Sequence, residues 1–188
     1  MTTYFVSDTH FGHKNIIRMD RRPWETVDEM DNALIANWRR TVKDQDTVYH
    51  LGDVALGLAP LGYLLQLTGQ IRIIPGNHDA LLVEQAERIH DETSGRVQVV
   101  APLIELKGVA SSTLWLCHYA LEGWHHRHKT LHLHGHTHPA HDPFDPSPGL
   151  SQRSGRTNIC MGSLFYAAPA RQWRPLTLVE ITARMGAG

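Results

Sequence analysis

The chain has 188 residues, of which 41% are hydrophobic and 20% charged, with a formal net charge of −1. That length suits one compact domain, residues 1–188, able to bury a sizeable core. The near-neutral balance argues against broad electrostatic attachment to nucleic acid or to an anionic membrane.

The two cysteines, Cys117 and Cys160, lie far apart and form no CxxC pair. A disulfide framework and a thiolate zinc knuckle are thereby excluded, and both read as small buried residues. Met1 to Asp8 has neither a basic segment nor a long apolar run. No stretch approaches the roughly 20 apolar residues of a membrane span. The cytoplasm is the expected compartment and no membrane partner is expected.

In chain order, Thr3 to Val6, Thr47 to Leu51, Ile71 to Ile74, Leu114 to Cys117 and Leu131 to His134 are strand-length apolar or alternating runs, each ended by a turn former. Arg96 to Val100, Ile104 to Lys107, Thr157 to Cys160 and Leu176 to Ile181 are further strand candidates. Helical spacing marks Thr26 to Val42 and Asp79 to His90, and more weakly Leu58 to Leu67. Strands alternating with helices predict an α/β domain with mixed sheets. Residues 139–156 hold four prolines, Pro139, Pro143, Pro146 and Pro148, and little periodicity, so they read as a long surface loop.

Of the fourteen histidines, those that matter follow strand ends. The first strand runs into Asp8-Thr9-His10, the second into Gly52-Asp53, and the third into Gly76-Asn77-His78-Asp79. The fourth ends at His118 and the fifth at Gly135-His136-Thr137-His138. Sites in open α/β sheets form outside the carboxyl ends of the strands, so five segments can converge on one pocket. Carboxylate, imidazole and amide oxygen are the donors that divalent cations take. Two residues of separation on an extended segment puts Asp8 with His10, and His136 with His138, on one face. Taken singly, these residues read as turn formers, caps or half-buried histidines. His136 and His138 are suggestive even alone, and the five blocks together point to a metal site.

Other residues are weaker candidates. His13 is placed to reach substrate phosphate or to cap a helix over Lys14 to Met19, and Trp124 to stack on a base or aryl group. His132 and His134 share one face of a strand, and His125, His126 and His128 form a solvated basic turn or a wall near the site. Arg18, Arg21 and Arg22 read first as plain surface and second as an extension of a basic rim, and Trp24, Trp38, Trp115 and Trp173 as packing.

The five ordered blocks resemble those of the calcineurin-like metallophosphoesterase superfamily, in its small prokaryotic or phage type. The pattern is Asp-x-His, Gly-Asp, Gly-Asn-His-Asp/Glu, a later lone His, and Gly-His-x-His. All five occur in order between Asp8 and His138. The resemblance implies a four-layer αββα sandwich, two mixed β-sheets packed face to face with helices outside. It implies a metal-dependent phosphoester hydrolase with two divalent ions and a bridging hydroxide as nucleophile. Mn is favoured, and Fe, Zn, Co or Ni also suit such donors. Asp8, His10 and His138 would hold one ion, Asn77, His118 and His136 the other, and Asp53 would bridge them. His78 would protonate the leaving oxygen, with Asp79 orienting it. The expected partner is a phosphoester substrate, small or nucleotide-like, and a diester rather than a monoester. A short chain leaves no room for a cap, and no arginine pair is evident for a dianion. Nucleic acid is not indicated by the charge. The alternative is a non-catalytic metal-containing scaffold or binding module of the same fold.

Overall fold

Strands β1 (Thr3–Val6), β2 (Thr47–His50) and β3 (Gln70–Ile73) lie parallel and in step, with Val6 opposite His50 and His50 opposite Ile73. The segments that follow them therefore leave the sheet at one level. These strands belong to a computed structural model that describes residues 1–57, 60–138, 155–165 and 168–185. β4 (Val97–Val99) joins β3 in parallel, and β9 (Leu176–Thr177) joins β1 antiparallel, giving a mixed sheet of order β4-β3-β2-β1-β9. The second mixed sheet has the order β5-β6-β7-β8, from β5 (Leu103–Val109), β6 (Ser112–Cys117), β7 (Leu131–His134) and β8 (Arg156–Asn158). The first pair is antiparallel and the others parallel.

Both sheets contribute to one core. Val48, Ile71 and Ile73 of the first and Leu114, Leu116 and Leu133 of the second are fully buried in a single cluster. A parallel bridge between Ser7 and Cys160 stitches the sheets together beside the end of β1. Helix α1 (Lys14–Met19) follows the first strand, and α2 (Val27–Thr41) lays Met30, Leu34, Ile35 and Trp38 into the core. Each such side chain is worth about 1.5–3 kcal/mol on burial. α2 begins at a capping box: the Thr26 hydroxyl accepts the Glu29 amide at 3.2 Å, and the Glu29 carboxylate accepts the Thr26 amide at 3.1 Å. The remaining helices are α3 (Pro60–Leu64), α4 (Ala80–Glu84), α5 (Ala86–Glu92), α6 (Met161–Leu164) and α7 (Leu178–Met185). Among the described residues no helix is long and apolar enough to cross a membrane.

The helix expected over Asp79 to His90 is two short ones, parted at Gln85, whose φ of −93° and ψ of 12° leave helical geometry. The strand expected over Leu176 to Ile181 is a larger departure. Only Leu176–Thr177 pairs with β1, and α7 starts at Leu178. Thr177 and Glu180 explain the switch: the Thr177 hydroxyl accepts the Glu180 amide at 3.3 Å and the Glu180 carboxylate accepts the Thr177 amide at 2.8 Å. This capping box outweighs the strand preference of Val179, Ile181 and Thr182. Of the loop expected over 139–156, residues 139–154 lie outside those described.

Candidate metal centre

The five strand ends build one cluster, buried at Asp8, His10, Asp53 and His118 and exposed at Asn77, His78 and His136, and its backbone is unusual. Asp8, His10, Asp53 and His136 have φ of 58°, 51°, 54° and 66°, in the left-handed region that side chains other than glycine rarely enter. Such conformations persist where surrounding contacts over-determine them. Here the Asp8 amide donates to Gly52 O at 3.0 Å and the His10 amide to Asp53 O at 3.1 Å, so the two loops run on together past β1 and β2. The Gly135 amide donates to His118 O at 2.9 Å, tying the loops after β6 and β7 in the same way. Gly135 has no alternative: a Cβ there would overlap the Ser7 hydroxyl and the Asp8 carboxylate.

Hydrogen acceptors face one another within the cluster. His118 Nδ1 donates to Leu51 O at 2.7 Å, which leaves Nε2 with its lone pair 3.0 Å from Asn77 Oδ1 and 3.6 Å from Asp53 Oδ2. His138 Nδ1 sits 2.8 Å from Asp20 Oδ1, which leaves its Nε2 3.3 Å from His10 Nε2 and 3.4 Å from Asp8 Oδ1. His10 Nε2 is in turn 3.7 Å from Asp53 Oδ2. The His136 ring packs against His118 with centroids 5.1 Å apart, and its amide donates to the Asp8 carboxylate at 3.1 Å. Asp53 Oδ1 accepts the His78 amide at 2.9 Å, and the His78 side chain is exposed, its ring 5.6 Å from that of His10.

The charges of the cluster call for a cation. Burial, then the neighbouring Asp8 carboxylate, raises the Asp53 carboxyl above its ordinary range. Burial would raise Asp8 too, but its hydrogen bond and ion pair with His138 outweigh it and hold Asp8 low. Burial keeps the His10 imidazole neutral, well below its usual pKa, and lowers His136 likewise, helped by His118. His10 and His136 are thus neutral, the form in which imidazole binds metal, whereas His138, bonded to both Asp8 and Asp20, holds a proton that a bound cation would displace. Asp8, Asp53 and His118 have donor atoms close enough together for one ion, and so have Asp8, His138 and Cys160. The donors of the cluster, mainly nitrogen and oxygen, fit divalent cations.

Several supporting residues lay beyond the sequence reading. Arg22, expected on the surface, is buried: its guanidinium donates to Asp8 O at 2.9 Å, to Thr9 O at 2.7 Å and to the Asp20 carboxylate. There its fork reaches both carbonyls of the strained first loop at once. Asn158 and Ser163 both donate to Thr137 O, at 2.7 and 2.9 Å, and so fix the residue between His136 and His138. Cys160 is buried as expected, with its sulfur 3.5 Å from His138 Nδ1. Asp79 was expected to orient the His78 ring. Its oxygens instead accept the backbone amides of Asp53, Gly76 and Val54 at 2.7, 2.8 and 3.0 Å, so it reaches His78 through the chain.

Among the weaker candidates, His13 lies beside the cluster, its ring 5.3 Å from His10, and its side chain does not cap α1. Trp124 donates to Thr130 Oγ1 at 2.9 Å, under Arg127 and against His132. His132 and His134 share a face and are buried, His132 Nδ1 donating to Trp115 O at 2.9 Å. His125, His126 and His128 form an exposed turn. Trp38 and Trp173 are core residues, and Trp24 packs edge-on against Trp173 at 5.5 Å.

Residues 1–172 match the calcineurin-like phosphoesterase superfamily domain, a metal-dependent family. A Gene 66 protein of Mycobacterium phage L5 is 31% identical over 161 residues, 72% of this chain and 77% of that protein. An uncharacterized protein of Methanocaldococcus jannaschii is 48% identical over 80 residues, but these are only 40% of this chain and 46% of the archaeal protein. In fold, a protein of unknown function from Aquifex aeolicus is similar with a TM-score of 0.68, covering 97% of this chain and 98% of its own at 20% identity. With a domain match over nearly its whole length and a phage relative aligned over most of both chains, this protein belongs to the calcineurin-like phosphoesterase superfamily.

Proposed function

We propose that the chain is a single-domain phosphoester hydrolase with a dinuclear metal centre that prefers diesters to monoesters. The observation that carries this reading is the position of Asp53 Oδ2, 3.7 Å from His10 Nε2 and 3.6 Å from His118 Nε2. One oxygen stands between two sets of donors, as a bridging ligand must. Asp8, His10 and His138 form one set, and Asn77, His118 and His136 the other. Divalent ions bound there, Mn²⁺ foremost and Fe, Zn, Co or Ni as alternatives, would polarise the phosphoryl oxygens and lower the pKa of the attacking water.

The chain's own residues do the rest. His78 is exposed at the edge of the cluster and gives its proton to the leaving oxygen. Asp79 holds the turn beneath it by three backbone hydrogen bonds. His13, half-buried beside His10, meets a substrate phosphoryl oxygen. The diester preference rests on Arg22, whose guanidinium is spent on Asp20, Asp8 O and Thr9 O and so is not offered to a dianionic monoester. A scaffold protein would have no use for an exposed imidazole at this position.

The test is hydrolysis of a chromogenic diester and of its monoester after chelation and Mn²⁺ add-back, with His78→Ala in parallel. Metal-restored turnover should favour the diester. His78→Ala should keep its metal and slow by about 10²–10⁴-fold, with partial rescue by a leaving group of low pKa. Equal or faster monoester turnover would overturn the diester preference, and turnover without metal would overturn the mechanism.

A further inference from the structure

A second concave site lies at the other end of α2. A cavity of about 570 Å³ is lined by Arg40, Thr41, Arg171, Gln172, Arg174 and Arg184. Volumes of about 300–1,000 Å³ are those of small-molecule sites. Arg40 and Thr41 close α2, while Asp31, nine residues earlier, accepts the Gly12 amide next to the metal cluster. At 1.5 Å per residue the two sites stand about 14 Å apart along the helix. On β1 the same polarity holds: the Tyr4 hydroxyl donates to Thr41 O at 3.3 Å, whereas Asp8 follows the far end of the strand.

Among the described residues the lining carries four guanidinium groups and no carboxylate. Three are held in place. Arg40 donates to Asn37 Oδ1 at 2.7 Å, and Asn37 is itself buried and anchored to Ala170 O and Trp173 O. Arg174 pairs with Glu180 at 2.5 Å. Arg184 donates to Leu164 O at 3.0 Å and lies over the Phe165 ring at 4.9 Å. A guanidinium has five N–H groups, so each keeps donors to spare. Arg171 is exposed and makes no hydrogen bond or ion pair among the described residues. Burial and the charge of Arg174 both depress the Arg184 guanidinium, the mark of crowded like charges.

We infer that this cavity binds a compact polyphosphate, either an inorganic chain or the phosphate tail of a nucleotide. Fixed guanidinium forks match phosphate oxygens pairwise, and four of them exceed what one carboxylate would neutralise. Among the described residues no aromatic side chain lines the cavity, so the phosphate chain, and not a base, is the part recognised. The arginines surround a pocket instead of tracking along a surface, which suits a small anion better than a nucleic-acid backbone.

The experiment is calorimetric titration of the metal-loaded full chain with the magnesium complexes of inorganic pyrophosphate and of ADP. Wild type is compared with Arg40→Gln/Arg171→Gln, and with Arg171→Gln alone, which removes no bond among the described residues. The double variant should bind both probes about tenfold or more weakly, the loss expected of charge-assisted hydrogen bonds. Its diester turnover should be unchanged, and Arg171→Gln should also keep the wild-type melting temperature. A preference of the wild type for ADP names a nucleotide as the source, and equal affinity names the inorganic chain. Undiminished affinity in both variants would place the anion at the metal centre and overturn the inference. So would a wild type that binds neither probe but holds a single-stranded oligonucleotide through these arginines.

Discussion

The Asp20 carboxylate stands between two charged or chargeable partners: one oxygen is 2.8 Å from His138 Nδ1, and the other accepts Nε and Nη2 of Arg22 at 3.2 and 3.0 Å. Asp20 and Arg22 are both buried. The pair fixes the ring of His138, presents its Nε2 to the cluster, and ties that ring through Arg22 to the Asp8 and Thr9 carbonyls. A carboxylate behind a metal-binding imidazole raises its basicity and sets its orientation.

Replacing Asp20 by Asn keeps the volume and removes the charge. Metal affinity should fall by about 10–100-fold, and the unpaired Arg22 should cost about 3–5 kcal/mol of stability. Competition with a fluorescent chelator reads the first and urea unfolding the second. Wild-type metal affinity would show that His138 does not depend on Asp20.

Asp53→Asn tests the shared ligand directly. With the bridging oxygen lost, both ions and nearly all turnover should go together. Elemental analysis decides the matter, since a full metal complement in the variant would refute the bridging role.

Gly135→Ala should act as a steric probe of the same loops. Its added methyl overlaps the Ser7 hydroxyl and the Asp8 carboxylate, and overpacking of this kind costs about 1–3 kcal/mol. The variant should melt lower and lose metal. Unchanged metal content and melting temperature would mean that the loops after β1 and β7 are not in close contact.

His50 sets a pH dependence. It is buried at the end of β2, its Nε2 2.9 Å from the Thr9 hydroxyl, and burial lowers its pKa from 6.5 to about 4, against the attraction of Asp79 and Asp8. The unfolded chain therefore binds the proton more readily. The stability this gives is complete above about pH 6.5 and is lost as pH falls through 4. The interval is worth on the order of 3 kcal/mol. Unfolding free energies between pH 7 and 4 should decline, and His50→Gln should flatten that decline. Equal slopes for the two proteins would count against it.

The sequence by itself located the principal strands and the residues that gather at their ends. Alternating or apolar runs stop at Ser7-Asp8, Gly52-Asp53 and Gly135-His136, because a turn former follows a β-rich run wherever a strand must end. The Thr177–Glu180 capping box lay outside that strand-based reading, and it is what puts α7 where a strand was expected.

Only the tertiary structure could decide what supports the cluster. Asp20 and Arg22 resemble surface residues until folding buries them against His138 and the Asp8 carbonyl, 118 and 14 positions away. Asp79 resembled a partner for its neighbour His78 until its oxygens met the amides of Asp53, Val54 and Gly76. The four arginines of the second cavity are scattered from residue 40 to residue 184. Local preference acts over a few residues, so it marks where strands end. Desolvation and hydrogen-bond satisfaction act between whichever groups the packed sheets bring together, so the partners of a buried charge emerge only with the fold.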